Sequence, residues 1–195
     1  ANSTRTSQQL VGRYIPANSG VYLAAADGVT KFWAIGGVDT GSPTYNWGFT
    51  MLPATTLTKE YFVSWAPGGW VAASGTPSTA SYSPIFVTPV YDNTTIYVDY
   101  SPTDGVVDRT FTLNRLSVGK IYDTAATGHT ADTDNSGTHV WATAPIALVW
   151  GQDDSVSPAA APGLDAGYTI LPMNSNWIDV ILTVTKSANP TTVTT

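Results

Sequence analysis

Short runs that alternate between apolar and polar residues recur along the chain and are bounded by Gly, Pro, Asn or Asp. These runs are rich in β-branched and aromatic residues, which is typical of β-strands. No window carries the i, i+3, i+4, i+7 apolar stripe of an amphipathic helix. The pattern predicts an all-β, antiparallel β-sandwich or jelly-roll-like domain. The predicted strands are 21–23, 31–35, 48–52, 60–65, 95–100, 109–113, 146–150, 168–171 and 177–184.

Two stretches, 20–63 and 137–182, repeat the same features in the same order. Each has a Gly and a Trp thirteen positions apart, followed by a Ser-Pro loop and a Gly-aromatic-Thr-x-Leu-Pro return. Each then continues into an acidic residue followed by apolar or aromatic residues, at 60–63 and 179–182. We therefore predict that the sandwich contains two duplicated β units, with Trp33 and Trp150 buried at equivalent positions.

The composition excludes several classes of function. The chain has 195 residues, only 11% of them charged, and a net charge of -6. Its 8 Lys and Arg residues are scattered singly, so we expect no nucleic-acid partner. It has no Cys and no apolar run of about 18 residues, so we expect no disulfide and no membrane span. The uncharged polar surface and the first residue, Ala1, predict a secreted protein, either extracellular or attached to the cell surface.

The chain also contains the tetrapeptide Asp39-Thr40-Gly41-Ser42, which resembles the catalytic turn of pepsin-like proteases. Such a site needs two carboxylates, each on its own Asp-Thr/Ser-Gly turn. The corresponding loop of the second unit, 151–155, has no such turn. The two histidines, His129 and His139, lie in no hydrolase or zinc motif. We therefore expect a surface loop at Asp39, no catalytic residues and no enzymatic activity.

Residues 132–137 match the first half of an EF-hand calcium loop. Asp132, Asp134 and Ser136 supply oxygen ligands at the first, third and fifth positions, and a Gly follows at the sixth. The bidentate Glu of that motif is absent, but Asp123 lies upstream and could supply a carboxylate. Ca²⁺ is therefore the one candidate cofactor. The alternative is an Asp/Asn/Ser/Gly turn that needs no ion.

Other residues are candidates for binding or modification. Trp65 and Trp70 flank a Pro-Gly-Gly segment and form a candidate aromatic pair for stacking against a glycan, although structural packing is the alternative. Asn2 and Asn93 begin formal N-glycosylation sequons.

The terminal segments suggest self-assembly. Residues 1–12 form a polar arm whose only apolar pair is Leu10 and Val11, and residues 183–195 form a C-terminal strand or tail that includes Val184. The domain between them is predicted to span 13–182. An extended tail can add a strand to the sheet of a neighbouring copy, and repeated head-to-tail addition gives a fibre.

Four stretches, DNTTIYVDY, DGVVDRTFTLNRL, GTHVWATAPIALVWGQD and APGLDAGYTILP, resemble a β-sandwich module of large bacterial surface proteins. That module is distantly similar to the N-terminal region of the IgG-Fc-binding protein. The segment LTVTKSANPTTV is similar to the first strand of the repeats that often follow it. The resemblance implies a secreted or surface β-sandwich with a structural or adhesive role and no catalytic residues.

These observations lead to two hypotheses. The first is a non-catalytic extracellular structural protein, the subunit of a surface fibre or layer that assembles by strand addition from a terminal segment. The alternative is a glycan- or protein-binding adhesin module of a bacterial surface protein.

Overall fold

A computed structural model describes residues 18–39, 46–68, 82–153, 155–156 and 166–173. In these residues every strand pairing is antiparallel, and the one helix is a single 3-10 turn at Ala54–Thr56. The predicted all-β antiparallel sandwich is confirmed. The strands are β1 (Ala34–Asp39), β2 (Asn46–Met51), β3 (Glu60–Phe62), β4 (Ile85–Pro89), β5 (Thr94–Asp99), β6 (Arg109–Leu113), β7 (Gly119–Ile121), β8 (His139–Ala142), β9 (Ile146–Gly151) and β10 (Gly167–Ile170).

Two four-stranded sheets form the sandwich. Sheet A has the strand order β10-β9-β4-β7, and sheet B has the order β3-β8-β5-β6. Strands β1 and β2 form a separate two-stranded sheet, here called the hairpin. In the part of the chain that the structure describes, no helix has the length and apolar character needed to cross a membrane.

Alternation along each strand assigns one face to the core. In β4, β5 and β9 every second side chain is buried, as expected when one face of a sheet packs on another sheet. The core therefore draws its members from both sheets. Its fully buried aliphatic side chains are Val63, Ile85, Val87, Ile96, Val98, Ile121, Val140, Ile146 and Leu148.

Two tyrosine hydroxyl groups connect the sheets through this apolar layer. Tyr61 of β3 is completely buried, and its hydroxyl donates to the carbonyl of Ile146 in β9. Burial raises the pKa of Tyr61 to about 12, so the phenol keeps the proton that it donates. The hydroxyl of Tyr100, just after β5, donates to the carbonyl of Tyr122, just after β7, at 2.9 Å. Each bond satisfies a polar group that would otherwise be costly to bury.

Trp47 of β2 fixes the hairpin against the outer face of sheet A. Its ring lies over Gly151 and Gly167, which face each other across β9 and β10. A Cβ atom on Gly167 would come within 2.0 Å of the indole, and one on Gly151 within 2.6 Å. The indole Nε1 donates to the carbonyl of Gln152 at 3.0 Å, and the ring stacks beside Phe86 of β4 at 6.3 Å. Trp47 is only 8% exposed because these contacts surround it.

The predicted burial of Trp33 is wrong. Trp33 is 78% exposed, whereas Trp150 is fully buried. The physical reason is that Trp33 lies just before β1, outside the two packed sheets, while Trp150 belongs to β9 inside the sandwich. The Gly-aromatic-Thr segments do form strands in both halves, namely β2 and β10. The duplication over 20–63 and 137–182 stays a prediction.

Replacing Trp47 with Ala should lower the free energy of unfolding by about 3–5 kcal/mol, because it removes a large buried ring and leaves a cavity over two glycines. Trp33→Ala is the matched control and should change stability by less than about 0.5 kcal/mol, since that ring is mostly in solvent. Urea titration followed by circular dichroism measures both. Equal losses in the two variants would contradict the packing described for Trp47.

Candidate functional site

Four aromatic side chains stand together on the outer face of sheet B. Their neighbours in sequence, such as Tyr61, Val98 and Val140, point into the core, so strand alternation directs the aromatic residues outward. Phe62 pairs with His139 across β3 and β8, and Tyr97 pairs with Trp141 across β5 and β8. We call this set the aromatic row: Phe62, His139, Trp141 and Tyr97.

The rings of the aromatic row are stacked in series. Phe62 and His139 have ring centroids 4.2 Å apart and planes inclined by 3°, and His139 and Trp141 are 4.6 Å apart at 26°. Trp141 and Tyr97 are 5.4 Å apart at 18°. Stacking covers the ring faces inside the row. Among the described residues, the terminal rings Phe62 and Tyr97 each have one ring neighbour, and Phe62 is 46% exposed.

Polar groups border the row. Glu60, the only Glu of the chain, lies two residues before Phe62 on the same face, and its Oε1 is 3.0 Å from Nε2 of His139. This contact fixes the imidazole ring between its neighbours. On the adjoining part of the sheet, the hydroxyl groups of Thr95 and Thr112 are 3.2 Å apart and face the same side. The row is therefore an apolar strip flanked by a carboxylate and hydroxyl groups.

Asp99 lies on the other side of the row from Glu60, and it is opposite His139 in the β5–β8 register. Its carboxylate accepts a hydrogen bond from the backbone N–H of Ser101 at 2.9 Å. Burial raises the pKa of Asp99, and the nearby carboxylates of Asp104 and Asp108 act in the same direction. Three carboxyl groups, those of Asp99, Asp104 and Asp108, therefore lie near this end of sheet B.

The predicted stacking pair is not part of this row. Trp65 is exposed, but its ring packs edge-on against the buried Trp150 at 5.1 Å and 62°. Its carbonyl accepts the hydroxyl proton of Tyr168 at 2.6 Å. These contacts are expected if Trp65 serves structural packing, the alternative to glycan stacking. Trp70 lies outside the described residues.

The candidate calcium ligands share one loop, and each uses a side-chain oxygen to accept a backbone N–H. Such bonds are expected of the alternative interpretation, an Asp/Asn/Ser/Gly turn that needs no ion. Among the described residues, no group of three or more His, Cys, Asp or Glu side chains is arranged to hold a metal ion. The calcium site stays a prediction. The bonds join Asp123 to Asp132 and Thr133 (2.7 and 2.8 Å), Asp132 to Asp134 (2.9 Å), Asp134 to Ser136 (2.8 Å) and Ser136 to Ala66 (2.7 Å).

Of the remaining predicted residues, Asn93 and Asp39 belong to the described part of the chain and the others lie outside it. Asn93 occupies an exposed turn between β4 and β5 with a φ of 53°, where a glycan would meet solvent. Asp39 ends β1, and its backbone pairs with Asn46 of β2. The rest of the Asp-Thr-Gly-Ser loop lies outside the described residues, as do Asn2, Leu10, Val11 and Val184.

Sequence reasoning missed the aromatic row. Its local signal is the alternation in Glu60-Tyr61-Phe62 and His139-Val140-Trp141, where one set of side chains is apolar and the next is aromatic or charged. This alternation shows that two faces exist. It does not show that β3, β8 and β5 are neighbours, because these strands are far apart in sequence.

Comparison with known protein families, with curated proteins and with solved structures finds no match to this chain. The resemblance to bacterial surface-protein modules therefore stays a prediction. Any function must be argued from the geometry of the site.

Excess EDTA should leave the melting temperature of the protein unchanged, because backbone N–H groups already engage the loop carboxylates. The measurement is a thermal melt followed by circular dichroism, with and without chelator and with Ca²⁺ added back. A melting temperature that falls with EDTA and recovers with Ca²⁺ would instead establish the ion site at Asp132, Asp134, Ser136 and Asp123.

Proposed function

We propose that this chain is an extracellular β-sandwich module that binds a neutral glycan at the aromatic row. The observation that carries the proposal is the series of four stacked rings on the open face of sheet B, bordered by Glu60. Exposed aromatic rings with adjacent polar groups mark binding surfaces more often than random surface positions do.

The chemistry of the row matches that of a pyranose ring. A sugar presents C–H groups on its faces, which pack on an aromatic ring, and hydroxyl groups at its edges, which donate to carboxylates. Phe62, at the end of the row, offers a partly exposed ring to the C–H face of the sugar. Glu60 offers acceptors to the hydroxyl groups at its edge. Threonine hydroxyl groups nearby can donate or accept.

The charge distribution favours an uncharged sugar. Glu60 and Asp99 lie on the two sides of the row, and the whole chain carries a net charge of -6. A uronic acid or a sulfated sugar would meet like charge at this surface. The secreted location belongs to the same proposal and is supported by the low fraction of charged residues.

Phe62→Ala and Trp141→Ala should each weaken glycan binding about tenfold or more, which corresponds to about 1.4 kcal/mol. The first removes the terminal ring, and the second removes the support of Tyr97 and His139. Affinity electrophoresis against a panel of neutral and acidic polysaccharides measures the effect. Tyr91→Ala is the matched control, since Tyr91 is 59% exposed and lies outside the row.

Three results would count against the glycan proposal. They are wild-type protein that binds no neutral polysaccharide, preference for acidic polysaccharides, and equal effects of Tyr91→Ala and Phe62→Ala. Circular dichroism of each variant establishes that the β-sheet is retained.

A second function, the structural subunit of a surface fibre or layer, is favoured by a different observation. The segment before and within β1 exposes a run of large apolar side chains, and soluble monomers rarely expose such surface without a partner. A second copy of the chain is the occupant that we propose, in agreement with the assembly expected from residues 1–12 and 183–195. The exposed side chains are Tyr22, Leu23, Val29, Phe32, Trp33 and Ile35.

Deleting residues 1–12 should convert oligomers or fibres to monomers and leave the circular dichroism nearly unchanged, because a donated strand completes a neighbour and not its own core. Analytical ultracentrifugation over a range of concentrations measures the assembly state. Deletion of 183–195 tests the competing donor. Intact protein that is monomeric at high concentration, or that assembles equally after both truncations, would remove this second function and leave the glycan-binding proposal standing.

A further inference from the structure

The imidazole of His129 bridges a serine hydroxyl and a carboxylate. Its Nδ1 is 3.1 Å from Oγ of Ser101, and its Nε2 is 2.5 Å from Oδ1 of Asp123. An ionised carboxylate only accepts hydrogen bonds, so the neutral imidazole tautomer that suits this contact carries its proton on Nε2 and has the lone pair of Nδ1 towards the hydroxyl. A hydroxyl group that donates to a neutral imidazole is the arrangement that activates a serine as a nucleophile.

Asp123 holds the imidazole in this orientation. The carboxylate side chain is completely buried, and its second oxygen accepts the backbone N–H groups of Asp132 and Thr133 at 2.7 and 2.8 Å. The ring of Tyr100 stacks on His129 at 5.1 Å and 26°. The imidazole is 11% exposed and is fixed by a carboxylate on one edge and a ring on one face.

Ser101 lies at the surface end of the buried His129–Asp123 pair. It follows β5 and begins a turn, since its carbonyl accepts the N–H of Asp104 at 3.0 Å. Its own N–H donates to Asp99 at 2.9 Å. Pro102 and Thr103, the next residues of the turn, are exposed. Ser101 itself is partly exposed.

We propose that Ser101, His129 and Asp123 form a catalytic triad that hydrolyses carboxylic esters. This inference does not depend on the glycan-binding proposal and departs from the prediction that the chain has no enzymatic activity. The three residues follow one another as Ser, Asp and His along the chain, but chain order does not define a triad; geometry and roles do.

The reaction has two halves. Oγ of Ser101 attacks the ester carbonyl carbon while its proton passes to Nδ1 of His129, and Asp123 stabilises the imidazolium. The intermediate collapses, the C–O bond breaks, and the alcohol leaves with the proton from His129. Water then attacks the acyl-serine with the same base, which releases the carboxylic acid and restores Ser101. The sum is ester plus water to acid plus alcohol.

The surrounding charges select the substrate class. The carboxylate of Asp104 lies against Gly128, the neighbour of His129, because a Cβ atom on that glycine would be 2.7 Å from its Oδ2. Two further carboxyl groups lie close by, since Asp99 accepts the N–H of Ser101 and Asp108 accepts the N–H of Tyr100. An acyl group that carries a carboxylate would be repelled. The triad therefore acts on esters with neutral or cationic acyl groups.

The decisive experiment uses the full-length wild-type protein. It is incubated with a fluorophosphonate, and the modified residue is located by peptide mass spectrometry. Hydrolysis of p-nitrophenyl acetate and of the mono-p-nitrophenyl ester of succinic acid is measured in parallel. We expect the adduct on Ser101, and turnover of the neutral acetate at least tenfold faster than that of the anionic succinate.

Variants test the roles of the residues. Ser101→Ala should reduce hydrolysis to the rate without protein, and His129→Gln should reduce it by about a hundredfold or more. Ser117→Ala is the matched control: it replaces a partly buried serine after β6 and should leave the rate unchanged. An unmodified Ser101 in the wild-type protein, or full hydrolysis by Ser101→Ala, would overturn the proposal. Because labelling of Ser101 is read on the wild type, the test does not depend on how well a variant folds.

Discussion

The apolar layer between sheets A and B is the constraint on which the rest of the structure depends. The chain has no Cys, so no disulfide holds the sheets together. The layer must be filled from both sides, and this fixes which residues of each strand point inward. Tyr61 and Tyr100 cross it with hydroxyl groups whose acceptors belong to the opposite sheet or to the loop after it. Every outward position, including those of the aromatic row, is decided by the same alternation.

The sequence predicts the strands better than it predicts their neighbours. The runs at 60–65, 95–100, 109–113 and 146–150 contain strands of the sandwich, because alternation and β-branched residues are local properties. Strands β4, β7 and β8 are absent from the predicted set, and the predicted strand 21–23 does not form; at β4, prolines at both ends obscure the run Ile85–Pro89. The error at Trp33 has another cause: its local pattern matches that of Trp150, but burial depends on which sheet covers the strand.

The candidate sites also depend on which parts of the chain are neighbours, and the sequence does not predict this. The aromatic row combines residues near positions 62, 97 and 140, and the triad combines positions 101, 123 and 129. No spacing rule connects them, because the sheet order β3-β8-β5-β6 is set by tertiary pairing. The two outer faces also differ in a way that composition does not reveal. The hairpin covers the outer face of sheet A through Trp47, whereas the outer face of sheet B carries the aromatic row, whose terminal ring Phe62 is exposed.

The contact of Trp47 with Gly151 and Gly167 has a consequence for the evolution of this protein. The indole occupies the space that two side chains would need, so no residue larger than glycine fits at either position while the tryptophan remains. A smaller residue at 47 would release both positions at once. In homologous chains the three sites should therefore vary together, with side chains appearing at 151 and 167 only in lineages that have lost the tryptophan. This joint variation would mark the hairpin as an inherited part of the domain.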